Sequence, residues 1–382
     1  MCTYTRQMEE ERVTVKEIAR LAGVSIGTVD RVLHDRGGVS ADTKERIDRI
    51  IASQGYEPNH IARQLSLNKV YTFRAVLPLA AQDSGYWALC LEGIHRAERE
   101  LAPYGTRLRV DEFDRYDRVA YRALLEDIVS APCDGLLIAP VLPEELLPAL
   151  ARIKRKIPYA FFDGSVEGAE PLAVIGQDAF AGGYLAGRML SLLAGGSGGP
   201  FIALNAHAED RHIELRIEGF MAYFRDRAGG SVREAREYSC FELTHAESAD
   251  AFLEALFRDV PGIAGIAGIL VANSSGHLVA DWLRSTGKKE GCALVSWDLV
   301  PDNLRSLRDG GIDCLISQRP FEQGREGLQS LFRAVVHEEA GEGHIKVPLE
   351  VYFKENLPMG HSGFDGMRRS ARRERTAHPI SH

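Results

Sequence analysis

Cysteine is scarce and unpatterned: of 382 residues only Cys2, Cys90, Cys133, Cys240, Cys292 and Cys314 are thiols, and no two share the short spacing that would grip zinc. Most lie in apolar stretches, so buried, reduced thiols are expected, which suits a cytoplasm. No apolar run approaches the roughly 20 residues needed to span a bilayer, and no signal peptide precedes the first motif, so a soluble intracellular chain is expected. Nucleophile elbows, metal clusters, phosphate loops and dinucleotide glycine patterns are missing as well. The glycine run AGGSGG at residues 194–199 follows a helical pattern and precedes a strand, the reverse of a phosphate-cradling order, and reads as a loop. These absences argue against an enzyme and imply no metal or cofactor.

Positive charge is in deficit overall, at a net −8, but not at the N-terminal end. Residues 12–69 hold ten Lys/Arg against seven Asp/Glu, so that segment carries +3 and the remainder −11. The asymmetry points the leading segment at phosphates, weakly for one copy and usefully for two.

That segment can be read almost residue by residue. Thr14 with Glu17 three positions later forms a capping box that starts a helix at Val15, with Ile18, Ala19 and Leu21 facing a core. Gly23 supplies the turn, and Ser25 caps a second helix with Val29, Val32 and Leu33 on its inner side. After the loop 35–39, Ser40 caps a third helix carrying Ile47, Ile50 and Ile51, stopped by Gly55. Asn59 then caps a short segment containing Ala62, Arg63 and Leu65. Two short helices across a glycine turn, closed by a third, make a helix-turn-helix small enough to sit on DNA.

In helix spacing, turn glycine, the Tyr56-Glu57-Pro58-Asn59 tetrad and the Ala62-Arg63-Gln64-Leu65 run, residues 13–65 resemble the lactose-repressor/galactose-repressor family of bacterial transcription factors. The resemblance implies a second helix in the major groove and a hinge helix that orders when two copies meet on DNA. It also implies that Leu65 wedges between base steps of the minor groove, with Ala62 and Arg63 beside it, so that these residues and the capping Asn59 are candidate DNA-binding residues.

From residue 71 onward the pattern changes to short apolar runs alternating with amphipathic ones. Strands are expected at FRAVLP, RLRVDEF, GLLIAP, PYAFFDG, PLAVIGQD, FIALNA, REYSCFE, GILVAN, ALVSWD and CLISQR, with helices between them and a last strand in KVPLEVYFKENL. Two consecutive sets of this kind imply two doubly wound parallel sheets with a cleft at their strand ends. The resemblance extends here to the family's two-lobed periplasmic-binding-protein-like domain, through GQD at Gly176, Arg216-x-x-Gly219-Phe220, LVAN ending at Asn273, a strand ending in Asp298 and ISQ ending at Gln318.

The expected organisation is therefore a small all-α DNA-binding domain at 12–57, a hinge at 58–69 and an α/β two-lobed effector and dimerisation domain at 70–357. Lobe 1 is drawn at 70–173 with 319–342, lobe 2 at 174–318 with 343–357, with crossings near Ala173, Gln318 and Gly343. Residues 358–382, rich in arginine, read as a basic disordered tail.

A recognition helix reads bases from its N-terminal end and touches phosphates from its flanks. Thr14, Ser25, Thr28 and His34 are candidate phosphate donors, and Arg31 is the expected base reader, since a guanidinium grips guanine bidentately. Ile26 and Gly27 occupy positions that vary with operator sequence in the resembling family, and offer only apolar contact. Asp30 departs from the family's usual serine, placing a carboxylate near phosphates where pairing with Arg31 would hold it.

In the cleft, polar groups for hydroxyls are expected at strand ends, and aromatic faces against sugar C–H surfaces. Asp163, Arg216, Asn273, Asp298 and Gln318 match the resembling family's effector contacts; Asp178 reads rather as a helix cap. Tyr86, Trp87, Phe113 and Trp297 are candidate stacking platforms. The expectation is a homodimeric regulator, a repressor of a near-palindromic operator, controlled by a small sugar or sugar-like effector. A transport-type periplasmic sugar-binding protein is the alternative, disfavoured by the DNA-binding segment.

Overall fold

The computed structural model describes residues 13–33, 37–54, 69–131, 133–153, 157–196, 198–206, 210–226, 234–240, 243, 246–260 and 265–357. Its chain divides into two compact units, Met1–Asn68 and Lys69–His382.

In the first unit, α1 (Val15–Ala22), α2 (Ile26–Leu33) and α3 (Ala41–Gln54) enclose Ile18, Ala19, Ala22, Val29, Val32 and Ile47. Thr14 accepts from the Glu17 amide at 3.3 Å, and Gly23 closes α1 at φ 63°, a left-handed conformation that glycine adopts without strain. The capping box is only half made, because the Glu17 carboxylate turns to Arg20, 3.0 Å away. Leu21, expected in the core, is 43% exposed. Ile18, Ala19 and Ala22 form the inward stripe, and at about 100° per residue Leu21 lies nearly opposite Ala19. Ser25 and Ser40 cap α2 and α3 through the amides of Thr28 (3.2 Å) and Thr43 (3.4 Å).

The second unit holds two six-stranded sheets. The first contains β1 (Tyr71–Pro78), β2 (Thr106–Phe113), β3 (Gly135–Ile138), β4 (Tyr159–Phe162), β5 (Ala173–Gly176) and β11 (Gly343–Lys346); the second contains β6 (Phe201–Asn205), β7 (Ala235–Ser239), β8 (Gly268–Val271), β9 (Ala293–Trp297), β10 (Cys314–Ser317) and β12 (Glu350–Tyr352). Their spatial orders, β11-β5-β4-β3-β1-β2 and β12-β10-β9-β8-β6-β7, correspond strand for strand. All pairings are parallel except β10 with β12.

The helices are α4 (Tyr86–Leu101), α5 (Arg118–Ser130), α6 (Pro143–Ile153), α7 (Ala179–Leu193), α8 (Arg211–Asp226), α9 (Ala246–Asp259), α10 (Gly276–Ser285), α11 (Pro301–Arg308) and α12 (Pro320–Val336). After β5 the chain leaves the first sheet and α7 packs on the second sheet and on α8; after β10 it leaves the second and α12 packs on the first and on α4. Each lobe thus covers its sheet with a helix that follows the other lobe's strand.

Glycines make both helix pairs possible. A methyl on Gly93 of α4 would sit 1.9 Å from the Phe321 carbonyl, and one on Gly324 of α12 2.2 Å from that of Cys90. In the other lobe a methyl on Gly183 of α7 would meet the Arg216 carbonyl at 1.7 Å, and one on Gly219 of α8 that of Phe180 at 2.0 Å. Backbones touch where no side chain would fit.

Three expectations need correction. β5 pairs with β4 in lobe 1, so the first crossing falls after Gly176 and not near Ala173. β11, not expected as a separate strand, pairs with β5 across Gly343–Lys346, so the last crossing lies at 347–349, beyond Gly343. The physical reason is that buried parallel strands of the two lobes are equally apolar, so hydropathy does not mark where the chain changes sheet. Third, no helix was expected between CLISQR and the last strand, yet α12 runs there for 17 residues. The hinge segment with Asn59, Ala62, Arg63 and Leu65, and the tail at 358–382, lie outside the described residues. Cys90, Cys240, Cys292 and Cys314 are buried and Cys133 is half-buried. Among the described residues no helix is long and apolar enough to cross a membrane.

Because the Gly183 contact is backbone on backbone, Gly183→Ala is expected to cost about 2–3 kcal/mol. Gly196→Ala, whose methyl meets open space, should melt as the parent does. Thermal denaturation of the two variants checks this; a Gly183→Ala protein melting with the parent would refute the close-packing account.

Candidate functional site

On the first unit, the residues expected at DNA cluster around the start of α2. Ser25 Oγ and Thr28 Oγ1 lie 2.9 Å apart and the Ser25 side chain caps the helix, so both hydroxyls are partly committed to local structure, as is that of Thr14. Ile26 is 53% exposed, Gly27 and Arg31 are exposed, and Thr28 and Asp30 half-buried. An isoleucine so exposed at a helix N-terminus has no folding role to explain it. His34 lies outside the described residues.

On the second unit, equivalent strand ends build the floor of a cleft between the lobes. Asp163 follows β4 and Asp298 follows β9, and both hold a left-handed backbone, φ 70° and 63°, where a side chain with a Cβ is strained. Each amide donates one strand over, Asp163 to the Ile175 carbonyl at 3.0 Å and Asp298 to that of Ile316 at 2.9 Å. The two carboxylates are thereby turned out of their sheets into the cleft.

Arg216, on α8, is buried to 1% exposure beneath them. Its guanidinium lies 3.8 Å from the Trp297 ring centre, donates to the Ala272 carbonyl at 2.8 Å and to Gln318 Oε1 at 2.7 Å. Gln318 passes the order on, its Nε2 donating to Asp298 Oδ2 at 3.0 Å and its amide to Oδ1 at 3.2 Å. Gln323 links the lobes through the crossover, giving a hydrogen bond to the Gln318 carbonyl at 2.9 Å and accepting one from the Asp163 amide at 2.8 Å. Tyr86 completes the lobe 1 side by donating to Asp163 Oδ1 at 2.5 Å.

Arg115 joins the two walls. It donates to Asp83 at 2.6 Å in lobe 1 and to Asp210 at 2.8 Å in lobe 2. Ser274 Oγ reaches the Asp83 carbonyl at 2.6 Å, and His212 Nε2 lies 3.8 Å from Asp163. With the lobes drawn together in this way the cavity is about 30 Å³. That admits one or two waters and is too small for a sugar ring with the walls in this position. A roomier groove of about 410 Å³ between α5 and α6 draws on lobe 1 alone.

Of the residues expected in the cleft, Tyr86, Trp87, Asp163, Arg216, Asn273, Asp298 and Gln318 line this cavity. Trp87 does so by its edge, donating Nε1 to Asp83 at 2.6 Å, and Asn273 also caps the turn into α10 by accepting from the Ser275 amide at 3.2 Å. Phe113 and Trp297 do not. Phe113 stacks on Tyr121 in the lobe 1 core, 4.1 Å between centres, because the last residue of β2 faces inward; Trp297 lies under Arg216, one residue before the strand turns to present Asp298. Asp178 caps α7 by accepting from the Ala181 amide at 3.0 Å. The sequence reading missed Asp83, Arg115, Asp210, His212, Ile213 and Ser274. A signal existed for two of them: Asp83 and Asp210 each stand five residues beyond the ends of the equivalent strands β1 and β6. Asn303 was missed too; fully buried, it donates to the Trp297 carbonyl at 2.8 Å and to that of Ser274 at 2.9 Å, fixing both loops.

Electrostatics follow the burial. Burial pushes Asp298 up to about 6 despite Arg216 and the Gln318 hydrogen bonds, and raises Asp163 as well against the pull of Tyr86 and Arg216. Burial also lowers Arg216, whereas at Arg115 it is more than offset by Asp210 and Asp83 and the guanidinium is held more firmly charged. An acid raised from 3.8 to about 6 keeps in the fold a proton that the unfolded chain has lost. Stability from this group is therefore lost as pH rises through that window. The unfolding free energy of the parent, relative to Asp298→Asn, should fall on the order of 2 kcal/mol between about pH 4 and pH 7. Denaturant titrations across that range measure it; a flat difference would contradict it.

Comparison with known proteins places this geometry. Residues 75–339 match the family described as periplasmic binding protein domain, and residues 14–59 the bacterial regulatory proteins of the lacI family. The HTH-type transcriptional repressor PurR of Serratia proteamaculans (strain 568) is 32% identical over 180 residues, 46% of this chain and 50% of that protein. The chain thus spans about half the length of the curated relatives it matches. Among solved structures, a putative LacI transcriptional regulator from Bacteroides fragilis superposes with a TM-score of 0.66 at 23% identity, covering 77% of this chain and 100% of that one. GanP, a glucose-galactose binding protein from Geobacillus stearothermophilus, gives 0.65 at 19%, covering 76% and 100%. The chain belongs, through residues 75–339, to the periplasmic binding protein domain family, and its helix-turn-helix segment is similar to the bacterial regulatory proteins of the lacI family.

Proposed function

We propose that this protein is a homodimeric, cytoplasmic DNA-binding repressor of a near-palindromic operator, governed by a small sugar or sugar-like effector taken up between the two lobes of its second unit. The observation that carries the reading is the presence in one chain of a capped helix-turn-helix and a two-walled cleft floored by Asp163 and Asp298. A neutral polyol needs paired acceptors and donors with an apolar rim, and the cleft supplies carboxylates, Asn273, Tyr86 and Trp87. The name of GanP lends support to a sugar on this fold, and the PurR relationship to a repressor.

In this reading Arg31 grips a base, Ile26 and Gly27 press on neighbouring ones, and Thr14, Ser25, Thr28 and His34 meet phosphates, while Asn59, Ala62, Arg63 and Leu65 act at the hinge. Parting and closing of the lobes alters the hinge pair and with it operator affinity, by no more than the effector's differential affinity for the two states. A regulator of this kind performs no chemistry, so no residue of the cleft is assigned a catalytic role. A transport-type sugar-binding protein would leave the first unit unexplained.

Footprinting on the DNA flanking the protein's own gene tests the proposal, with a protected twofold site that responds to one sugar as the expected result. Arg31→Ala should weaken that site about tenfold or more, with little effect on binding to unrelated duplex. Equal affinity for arbitrary DNA and the protected site would overturn the reading.

A further inference from the structure

The charge of the cleft limits what it can hold, an inference that rests on the cleft being a small-molecule site. Four carboxylates, of Asp83, Asp163, Asp210 and Asp298, line it against the two guanidiniums of Arg115 and Arg216 and the imidazole of His212. With all four ionised, the described lining is one charge negative when His212 is protonated and two when it is neutral.

Both guanidiniums are engaged within the protein. Arg115 is held between Asp83 and Asp210, and Arg216 between the Ala272 carbonyl, Gln318 and the face of Trp297. Among the described residues no lysine lines the cavity. By contrast an acceptor is free: Asp210 Oδ1 is buried without a hydrogen-bond partner. A buried carboxylate oxygen left unpaired is costly, and a ligand hydroxyl or ammonium is the group that would satisfy it.

We infer that the cleft is a charge filter: its effector is an uncharged polyhydroxy compound, or one bearing an ammonium group, and phosphate esters and sugar acids are rejected. A hydroxyl donates to Asp210 and shares acceptors with Asp163 and Asp298. A phosphate or carboxylate of the same skeleton meets surplus negative charge in a desolvated space, with no guanidinium to pair it unless Arg115 abandons two carboxylates. A neutral ligand should therefore bind at least about a hundredfold more tightly than its phosphorylated or carboxylated counterpart.

Calorimetric titration of the full-length protein tests this with D-glucose, D-galactose, D-arabinose and myo-inositol, with D-glucose 6-phosphate and D-glucuronate as anionic counterparts, with D-glucosamine as the cationic one, and with inorganic phosphate alone. The expected binders are neutral or aminated, and phosphate gives no saturable heat at millimolar concentration. An anionic sugar binding as tightly as its neutral parent overturns the inference, as does saturable phosphate binding that Arg115→Met or Arg216→Met removes. If no sugar binds, the sugar reading of the cleft fails, while the phosphate titration still decides the filter. A folded Asp83→Asn/Asp210→Asn double variant, its Arg115 released, should gain phosphate binding; no gain counts against the inference.

Discussion

The cleft depends on one buried cation. Among the described residues Arg216 has no carboxylate within bonding distance; it is held by a carbonyl, an amide oxygen and an aromatic face, and its charge is what offsets part of the cost of burying Asp298 and Asp163. A guanidinium in so dry a place is tolerable because its donors are met and its plane lies on an indole. The Gly183 contact with the Arg216 backbone then fixes the helix on which it stands, so packing far below the cleft sets the position of the charge above it.

From that point order spreads through hydrogen bonds rather than through ion pairs. Gln318 faces Arg216 with its oxygen and Asp298 with its nitrogen, which fixes the sense of its amide. Gln323, one helical turn on, spans from Gln318 to the Asp163 backbone. The crossover between lobes is thus also the wiring between the two cleft aspartates. A polar chain of this kind in a low-dielectric region must be complete to be tolerated, and its strained left-handed aspartates add cost without adding fold stability. Local cost of that sort collects where a surface is shaped for binding.

How much of this was legible in the sequence differs by level. Helix caps, the glycine turn and the alternating strands were readable because each rests on local chemistry: Thr14, Ser25, Ser40 and Gly23 act within a few residues of themselves. Asp163, Arg216, Asp298 and Gln318 were reached through resemblance and lie together. The direction of an aromatic ring was not readable, since Phe113 and Trp297 face inward or outward according to strand ends that shift by a single residue. Arg115 was not readable for another reason: its meaning lies in a pairing across a cleft, and it carries no local signal. The exchange of segments between lobes was expected, but the first and last of its boundaries were misplaced by a few residues because apolar strands of either sheet look alike.

The pseudo-symmetry explains why the closed cleft is also a self-satisfied one. Asp83 and Asp210 occupy equivalent places beyond β1 and β6, and Arg115, from one lobe only, lies between them and breaks the symmetry. It draws the walls together by satisfying a carboxylate on each. In the proposed reading an effector competes with an internal cation as well as with water, and its gain lies in what this arrangement leaves unmet, the second oxygen of Asp210. A ligand that binds both open and closed arrangements equally shifts nothing, however tightly it binds. In the proposed reading, discrimination between the two states comes from contacts made to both walls at once, and each wall carries acids.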